Sequence, residues 1–225
     1  MKIALIYTAT TEELIELVET EVRQALGGEA ELLSVADPTI LSEVREEGLV
    51  TAPPAARLVG MFMQAVEKGA DGILNICSSV GEVADAAQDI ARFTGVPIVR
   101  IDEEMCREAV RIGKRIAVVA TLPTTLQPTK GTLLRVAREM GRRVELVDTL
   151  LDGAFGLSPD EFKNRMKDAC LEVAGQVDVI LFAQGSMAYC EELVAEATGK
   201  PTLSSPRFGA AALRAAMAGK GLVKQ

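Results

Sequence analysis

Cys77 is the residue of this sequence whose type and position best suit proton-transfer chemistry. It ends the apolar run 72–76 and is followed by Ser78, Ser79 and a stretch with helical periodicity. This order is typical of a strand, a loop and a helix N-terminus, where free backbone N–H groups and the helix dipole stabilise a thiolate and can hold a carboxylate. Many cysteines on apolar strands are inert packing residues. The strand-end position beside two serines favours an acid/base role for Cys77, with Ser78 and Ser79 binding the substrate.

The sequence contains no histidine. This absence excludes Ser-His and Cys-His nucleophile pairs and every metal site that needs an imidazole ligand. Proton chemistry near neutral pH then falls to cysteine, lysine or a carboxylate with a shifted pKa. The composition therefore strengthens the hypothesis that Cys77 carries the chemistry.

Threonines supply a second group of candidate binding residues. The segment T-L-P-T-T places Thr121, Thr124 and Thr125 at the start of a predicted helix, where hydroxyl and backbone N–H groups could hold a carboxylate. Helix capping would explain one of these threonines, not all three. A similar group of hydroxyls follows the first predicted strand: Thr8, Thr10 and Thr11. We include Thr8 among the predicted binding residues.

The other three cysteines are predicted to be packing residues. Cys106 and Cys170 fall within amphipathic stretches, and Cys190 falls in the helix expected after Gln184. The four cysteines form no C-x-x-C pair, so the sequence signals neither a zinc site nor a disulfide framework. We expect reduced thiols, no metal and no other cofactor.

Charge and hydropathy limit the possible partners. The net charge of −8 would repel a phosphate backbone, so nucleic acid is not an expected partner. No apolar run approaches the roughly 20 residues that span a bilayer, and the N-terminus lacks the features of a secretory signal. We expect a cytoplasmic protein, not bound to a membrane, that acts on a small molecule, with homo-oligomerisation left open.

Short β-branched runs alternate with amphipathic stretches along the whole chain, which predicts an α/β fold with parallel strands. Apolar residues in Thr11–Leu26, for example, recur with helical spacing. Eight strands are predicted, near residues 3–7, 31–34, 72–76, 98–101, 116–120, 144–147, 179–183 and 202–203.

Internal repeats divide the chain into two similar halves. Residues 2–8 (K-I-A-L-I-Y-T) match residues 115–121 (R-I-A-V-V-A-T), and residues 71–77 (D-G-I-L-N-I-C) match residues 178–184 (D-V-I-L-F-A-Q). A third match, T-G-V-P with T-G-K-P, follows in the same order. Thr8 therefore corresponds to Thr121, and Cys77 corresponds to Gln184.

The repeats predict two pseudo-symmetric, doubly wound domains, each with a four-stranded parallel sheet. The first would comprise residues 1–101 and 207–225, and the second residues 102–206. Open α/β sheets bind ligands beyond the carboxyl ends of their strands, where Thr8, Cys77, Thr121 and Gln184 all lie. We therefore expect the active site in a cleft between the two domains.

The motifs N-I-C-S-S and A-T-L-P-T-T, together with the duplicated halves, resemble the aspartate/glutamate/hydantoin racemase superfamily over essentially the whole chain. In that family two cysteines, one from each half, exchange a proton at a carbon next to a carboxylate without pyridoxal phosphate or metal. The resemblance assigns Cys77 to the first cysteine.

Gln184 occupies the position of the family's second cysteine, within A-Q-G-S-M. An amide has no useful proton to exchange, so a symmetrical two-thiol mechanism does not follow from the resemblance. Gln184 could instead orient a ligand carboxylate or a water, with Gly185 and Ser186 offering further donors. A glutamine that only caps a loop is the structural alternative.

Three functions remain open at this point. The first is a cofactor-independent racemase or isomerase of an amino acid or a related acid. The second is decarboxylation of a malonate-like acid, because arylmalonate decarboxylase in the same superfamily uses a single cysteine, although in its second half. The third is a non-catalytic carboxylate-binding protein.

Overall fold

The computed structural model describes residues 1–9, 11–28, 30–154 and 157–224. The chain divides into two compact units, Met1–Ile101 with Pro206–Gln225 and Asp102–Ser205. Each unit contains a four-stranded sheet in which all strands are parallel. This confirms the α/β class and the pair of four-stranded parallel sheets predicted from the sequence.

The first unit contains, in chain order, β1 (Lys2–Tyr7), α1 (Glu12–Leu26), β2 (Glu31–Ala36), α2 (Pro38–Glu47), α3 (Ala52–Glu67), β3 (Gly72–Ile76), α4 (Gly81–Thr94) and β4 (Ile98–Arg100). The second contains α5 (Glu103–Ile112), β5 (Arg115–Ala120), α6 (Pro123–Glu139), β6 (Glu145–Leu150), α7 (Pro159–Ala174), β7 (Val179–Phe182), α8 (Glu191–Thr198) and β8 (Thr202–Leu203). The last helix, α9 (Ser205–Gly219), starts at the end of the second unit and otherwise belongs to the first.

The strand order is the same in the two sheets. It is β2-β1-β3-β4 in the first and β6-β5-β7-β8 in the second. All eight strands were predicted, but β2 and β6 run on to Ala36 and Leu150, beyond the predicted ends. Both are edge strands with several exposed or half-buried residues, so the apolar pattern that marks a buried strand ends before the backbone pairing does.

The first sheet is covered on both faces because side chains alternate along β1. Ile3 and Leu5 pack with α1 and with Leu213 and Met217 of α9, whereas Ile6 packs on the opposite face with α2, α3 and α4. A parallel sheet buried on both faces explains the continuous apolar runs in the sequence. In the second unit, the face of β5 and β7 that bears Val119 and Phe182 packs with α7 and α8.

Helix α9 lies close to the backbone at the end of the first sheet. A Cβ atom on Gly209 would lie 2.8 Å from Ile101 Cα and 2.9 Å from Ile101 O. Glycine at this position therefore allows the helix to approach the chain that follows β4.

Backbone register and hydrogen bonds repeat between the two sheets. Ile3 pairs with Gly72 in the first sheet, and the corresponding residues Ile116 and Val179 pair in the second. Asp71 accepts the backbone N–H of Lys2 at 2.8 Å, and Asp178 accepts that of Arg115, also at 2.8 Å.

The bonded position of Asp178 also affects its protonation. Hydrogen bonds from the Arg115 backbone, the Arg115 side chain and the Lys114 backbone lower the pKa of Asp178 to about 2. Asp71 and Asp178 thus accept the backbone N–H of the first residue of β1 and of β5, respectively. This equivalence supports the duplication inferred from the sequence.

Candidate functional site

Cys77 follows directly after β3, at the carboxyl edge of the first sheet. Its backbone is extended (φ −164°, ψ 115°), and a single 3₁₀ turn, Ser78–Val80, connects it to α4. Ser78 and Ser79 are both buried in this turn. The Cys77 side chain is half-buried, whereas Cys106, Cys170 and Cys190 are buried. Cys77 is therefore the cysteine that a solute could reach.

Asn75 holds the backbone at Cys77. Its amide Nδ2 donates to the carbonyl oxygen of Cys77 at 3.1 Å, and its side chain is 1% exposed. Its Oδ1 atom has no hydrogen-bond partner among the described residues. Asn75 was not among the residues predicted from the sequence, although a polar residue inside the apolar strand G-I-L-N-I was a signal that could have identified it.

Arg100 lies beneath the turn that follows Cys77. Its guanidinium is buried, with Nη1 2.6 Å from Asp85 Oδ2 on α4. A Cβ atom on Gly81 would lie 2.3 Å from Arg100 Nη2, so the guanidinium packs directly against the first residue of α4. This buried cation was also missed, because an arginine at the end of a short strand is usually a surface residue.

Thr8 occupies the strand end beside Cys77. Tyr7 of β1 pairs with Ile76 of β3, so the next residues along the two strands are Thr8 and Cys77. The Thr8 hydroxyl is buried and has no hydrogen-bond partner in the described part of the chain. Thr11 instead caps α1, because its hydroxyl accepts the backbone N–H of Leu14 at 3.3 Å.

Thr10, which belongs to the same predicted group, lies outside the described residues.

Gln184 and Thr121 contact each other at the equivalent strand ends of the second unit. The Gln184 Oε1 atom accepts the backbone N–H of Thr121 at 2.7 Å and is 3.0 Å from the Thr121 hydroxyl, which can donate to it. Because a backbone N–H can only donate, the amide oxygen must face Thr121 and the amide NH₂ must face away. Gln184 is half-buried and therefore presents two N–H donors beside the sheet edge.

The remaining predicted residues of the second unit surround this pair. Thr124 and Thr125 lie in the first turn of α6, and the Thr124 hydroxyl is buried with no hydrogen-bond partner in the described ranges. Gly185 and Ser186 begin the 3₁₀ segment Gly185–Cys190, in which Gly185 is half-buried and Ser186 is exposed. The structure thus brings donors from two loops to one edge of the second sheet.

Burial makes two of the other thiols poor acids. It raises the pKa of Cys170 to about 12 and the pKa of Cys190 to about 11. Cys106 is fully buried in α5. These environments agree with the packing roles predicted for the three residues.

The two sheet edges offer different chemistry. The edge of the first unit carries an accessible thiol that can take or give a proton, held by Asn75 and next to the Thr8 hydroxyl. The edge of the second carries hydrogen-bond donors suited to an anionic oxygen. Within the described residues, no group of three or more cysteine, aspartate or glutamate side chains is placed to hold a metal ion. None of the described helices has the length and apolar character to cross a membrane.

The model of the Asp/Glu/hydantoin racemase family matches residues 3–213 of the chain. The chain belongs to this family. The resemblance inferred from the Cys77 and Thr121 motifs is therefore confirmed, and family membership supports a racemase-type enzyme. No curated protein matches the sequence.

Solved structures of racemases share the family fold. The allantoin racemase from Klebsiella pneumoniae is 18% identical with a TM-score of 0.71, and the alignment covers 100% of this chain and 90% of that one. Glutamate racemase RacE1 from Bacillus anthracis is 15% identical with a TM-score of 0.71, covering 98% and 83%. Arylmalonate decarboxylase is 16% identical with a TM-score of 0.53, covering 95% and 92%. At these identities the similarity establishes the fold.

Proposed function

We propose that this family member is a cofactor-independent isomerase of the racemase type that exchanges the proton on a carbon next to a carboxylate through Cys77. The observation that carries the proposal is the half-buried thiol of Cys77 at the carboxyl end of β3, beside the buried Thr8 hydroxyl. The thiolate takes the proton from carbon, and the electron pair moves into the neighbouring carboxylate. The thiol then returns a proton to carbon.

The substrate is a small carboxylic acid, with amino acids and their cyclic derivatives as the first candidates. Solved relatives with this fold include racemases of glutamate and of allantoin. The donors at both sheet edges, including the N–H groups of Gln184 and the Thr8 hydroxyl, are suited to carboxylate or carbonyl oxygens. We expect a protein that acts in the cytoplasm without nucleic acid or membrane partners.

Decarboxylation of a malonate-like acid is the second candidate. Gln184 favours it, because an enzyme with a single proton-transferring residue needs only to protonate the carbanion that the loss of carbon dioxide leaves. Deuterium uptake from solvent accompanies both reactions, and release of carbon dioxide distinguishes them. A non-catalytic carboxylate-binding protein would show neither.

Cys77→Ala is expected to slow proton exchange by about 100-fold or more, because loss of a positioned acid/base group costs about 10²–10⁴ in rate. The measurement is proton NMR of the carbon-bound hydrogen of D- and L-aspartate and D- and L-glutamate incubated with the protein in deuterium oxide. Cys106→Ala is the matched control, since it removes a thiol that is buried in α5. Wild-type protein that exchanges none of these hydrogens and releases no carbon dioxide from aryl- or alkylmalonates would reject the proposed function.

We further propose that Cys77 and Gln184 act on the same substrate, because the internal repeat makes their positions equivalent. In Gln184→Cys, a bifunctional thiol reagent with a short spacer is expected to join the introduced thiol to Cys77. Glu172→Cys is the control, since residue 172 is exposed on α7. Peptide mapping identifies the linked pair. Equal cross-linking of both variants, or none in Gln184→Cys, would contradict a shared substrate.

A further inference from the structure

The side chain of Gln184 is fixed in one orientation by Thr121, which lies 63 residues earlier in the chain. Its oxygen is within hydrogen-bond distance of two groups of Thr121, the backbone N–H at 2.7 Å and the hydroxyl at 3.0 Å. An amide that merely capped its own loop would bond within the segment Gly185–Cys190 that it precedes. Gln184 instead bridges the ends of β5 and β7, and this arrangement commits its NH₂ group to the open side of the sheet edge.

The chemistry of this NH₂ group differs from that of a thiol. A carboxamide N–H does not give up its proton near neutral pH, but it donates hydrogen bonds to oxygens and most strongly to anionic ones. A donor held in place before the reaction stabilises the charge that develops on a substrate oxygen without any cost of reorganisation. Position 184 therefore suits an oxygen of the substrate and does not suit its acidic carbon.

We propose, resting on the proposed function, that Gln184 is a catalytic residue that binds the substrate's carboxylate or carbonyl oxygen, and that Thr121 is the positioning residue that aims it. The Cys77 thiolate breaks the C–H bond and forms S–H. The electron pair becomes an enolate, whose oxygen accepts the Gln184 N–H. The S–H then gives a proton, or a deuteron acquired from solvent, back to the same face of the carbon. Exchange with retention of configuration is therefore faster than inversion, which needs a proton delivered to the other face by water.

This inference narrows the substrate class. The substrate must carry an oxygen that becomes anionic as the carbanion forms, such as a carboxylate or an amide carbonyl attached to the reacting carbon. One enantiomer of a chiral acid would be exchanged faster than the other, because the one proton-transferring group addresses one face. The wild-type protein would interconvert the enantiomers more slowly than it exchanges their hydrogen.

The experiment follows deuterium uptake and configuration separately. Each single enantiomer of aspartate and glutamate is incubated with wild-type protein in deuterium oxide, uptake is measured by proton NMR, and configuration by chiral chromatography. The expected result is faster uptake by one enantiomer, with retention preceding slower inversion. In Gln184→Cys, inversion is expected to become as fast as exchange. Inversion by wild-type protein as fast as exchange would overturn the inference while leaving the proposed function intact.

Substitutions of Gln184 and Thr121 test the catalytic role of the first and the positioning role of the second. Gln184→Leu is expected to slow exchange about 100-fold, the usual effect of removing one donor to an oxyanion. Thr121→Val is expected to slow exchange about 5- to 10-fold through loss of one hydrogen bond, and Thr121→Ser to restore it. Exchange by Gln184→Leu at the wild-type rate would overturn the role of the amide.

The fixed orientation of Gln184 can be tested without a substrate. Hydrogen exchange of the Thr121 backbone amide, followed by NMR, is expected to be slow in wild-type protein and in Gln184→Glu, which retains an acceptor. It is expected to be at least about 10-fold faster in Gln184→Leu. Equal rates in all three proteins would show that Gln184 does not hold Thr121 and would overturn the positioning role.

Discussion

Iodoacetamide is expected to alkylate Cys77 at least about 100-fold faster than Cys170 or Cys190 in the folded protein at pH 8. The reactive species is the thiolate, and the half-buried side chain of Cys77 is the one that the reagent can reach. The pKa values of about 12 for Cys170 and about 11 for Cys190 leave about one part in 10,000 and one part in 1000 ionised. Burial also withholds these two thiols, and Cys106, from the reagent.

Peptide mapping of protein quenched at successive times measures the four rates. Raising the pH from 8 to 10 is expected to accelerate labelling of Cys170 and Cys190 in proportion to their thiolate fractions, about 10-fold for each pH unit. Labelling in concentrated urea is the control, because all four thiols are then accessible and should react at similar rates. Protection of Cys77 in the folded protein without a ligand would identify it as a packing residue and remove its acid/base role.

Gly81→Ala is expected to destabilise the protein by about 1–3 kcal/mol, the usual cost of forcing an extra carbon into a packed site. The added methyl group would lie 2.3 Å from the Arg100 guanidinium, which is buried and paired with Asp85. The backbone N–H of Gly81 also donates to the carbonyl oxygen of Ser78 and closes the turn after Cys77. Displacing this turn moves the thiol, so proton exchange is expected to fall together with stability.

Gly60→Ala is the matched control for this substitution. Gly60 lies within α3 of the same unit, and nothing lies within 4 Å of the position that its Cβ would occupy. Alanine there is expected to raise the free energy of unfolding by about 0.5–1 kcal/mol, through helix propensity alone. Urea denaturation measures both effects.

A double-mutant cycle assigns the cost of Gly81→Ala to Arg100. In an Arg100→Ala background, the guanidinium is gone and Gly81→Ala is expected to be much less destabilising. If Gly81→Ala proves as benign as Gly60→Ala in the wild-type background, the guanidinium moves aside freely and does not hold the turn.

The elements that position the site were predictable because their signals are local. Short β-branched runs identified all eight strands, and the strand ends placed Cys77 and Gln184 at equivalent loops. The internal repeat added long-range information, because two segments with the same sequence pattern are expected to take the same place in two similar units. Extension of the edge strands β2 and β6 was missed, since backbone pairing at a sheet edge leaves a weak trace in the side-chain pattern.

By itself, the sequence determined the α/β class, the pair of four-stranded sheets, the family and the candidate residues, because apolar periodicity and motif order are properties of neighbouring residues. Only the tertiary structure decided what those residues contact. The bond between Gln184 and Thr121 depends on the register of β5 against β7, and the contact of Arg100 with Gly81 depends on how β4 lies beneath α4. Such contacts join residues distant in the chain, and they are set by strand register and side-chain rotamers that local sequence patterns do not encode.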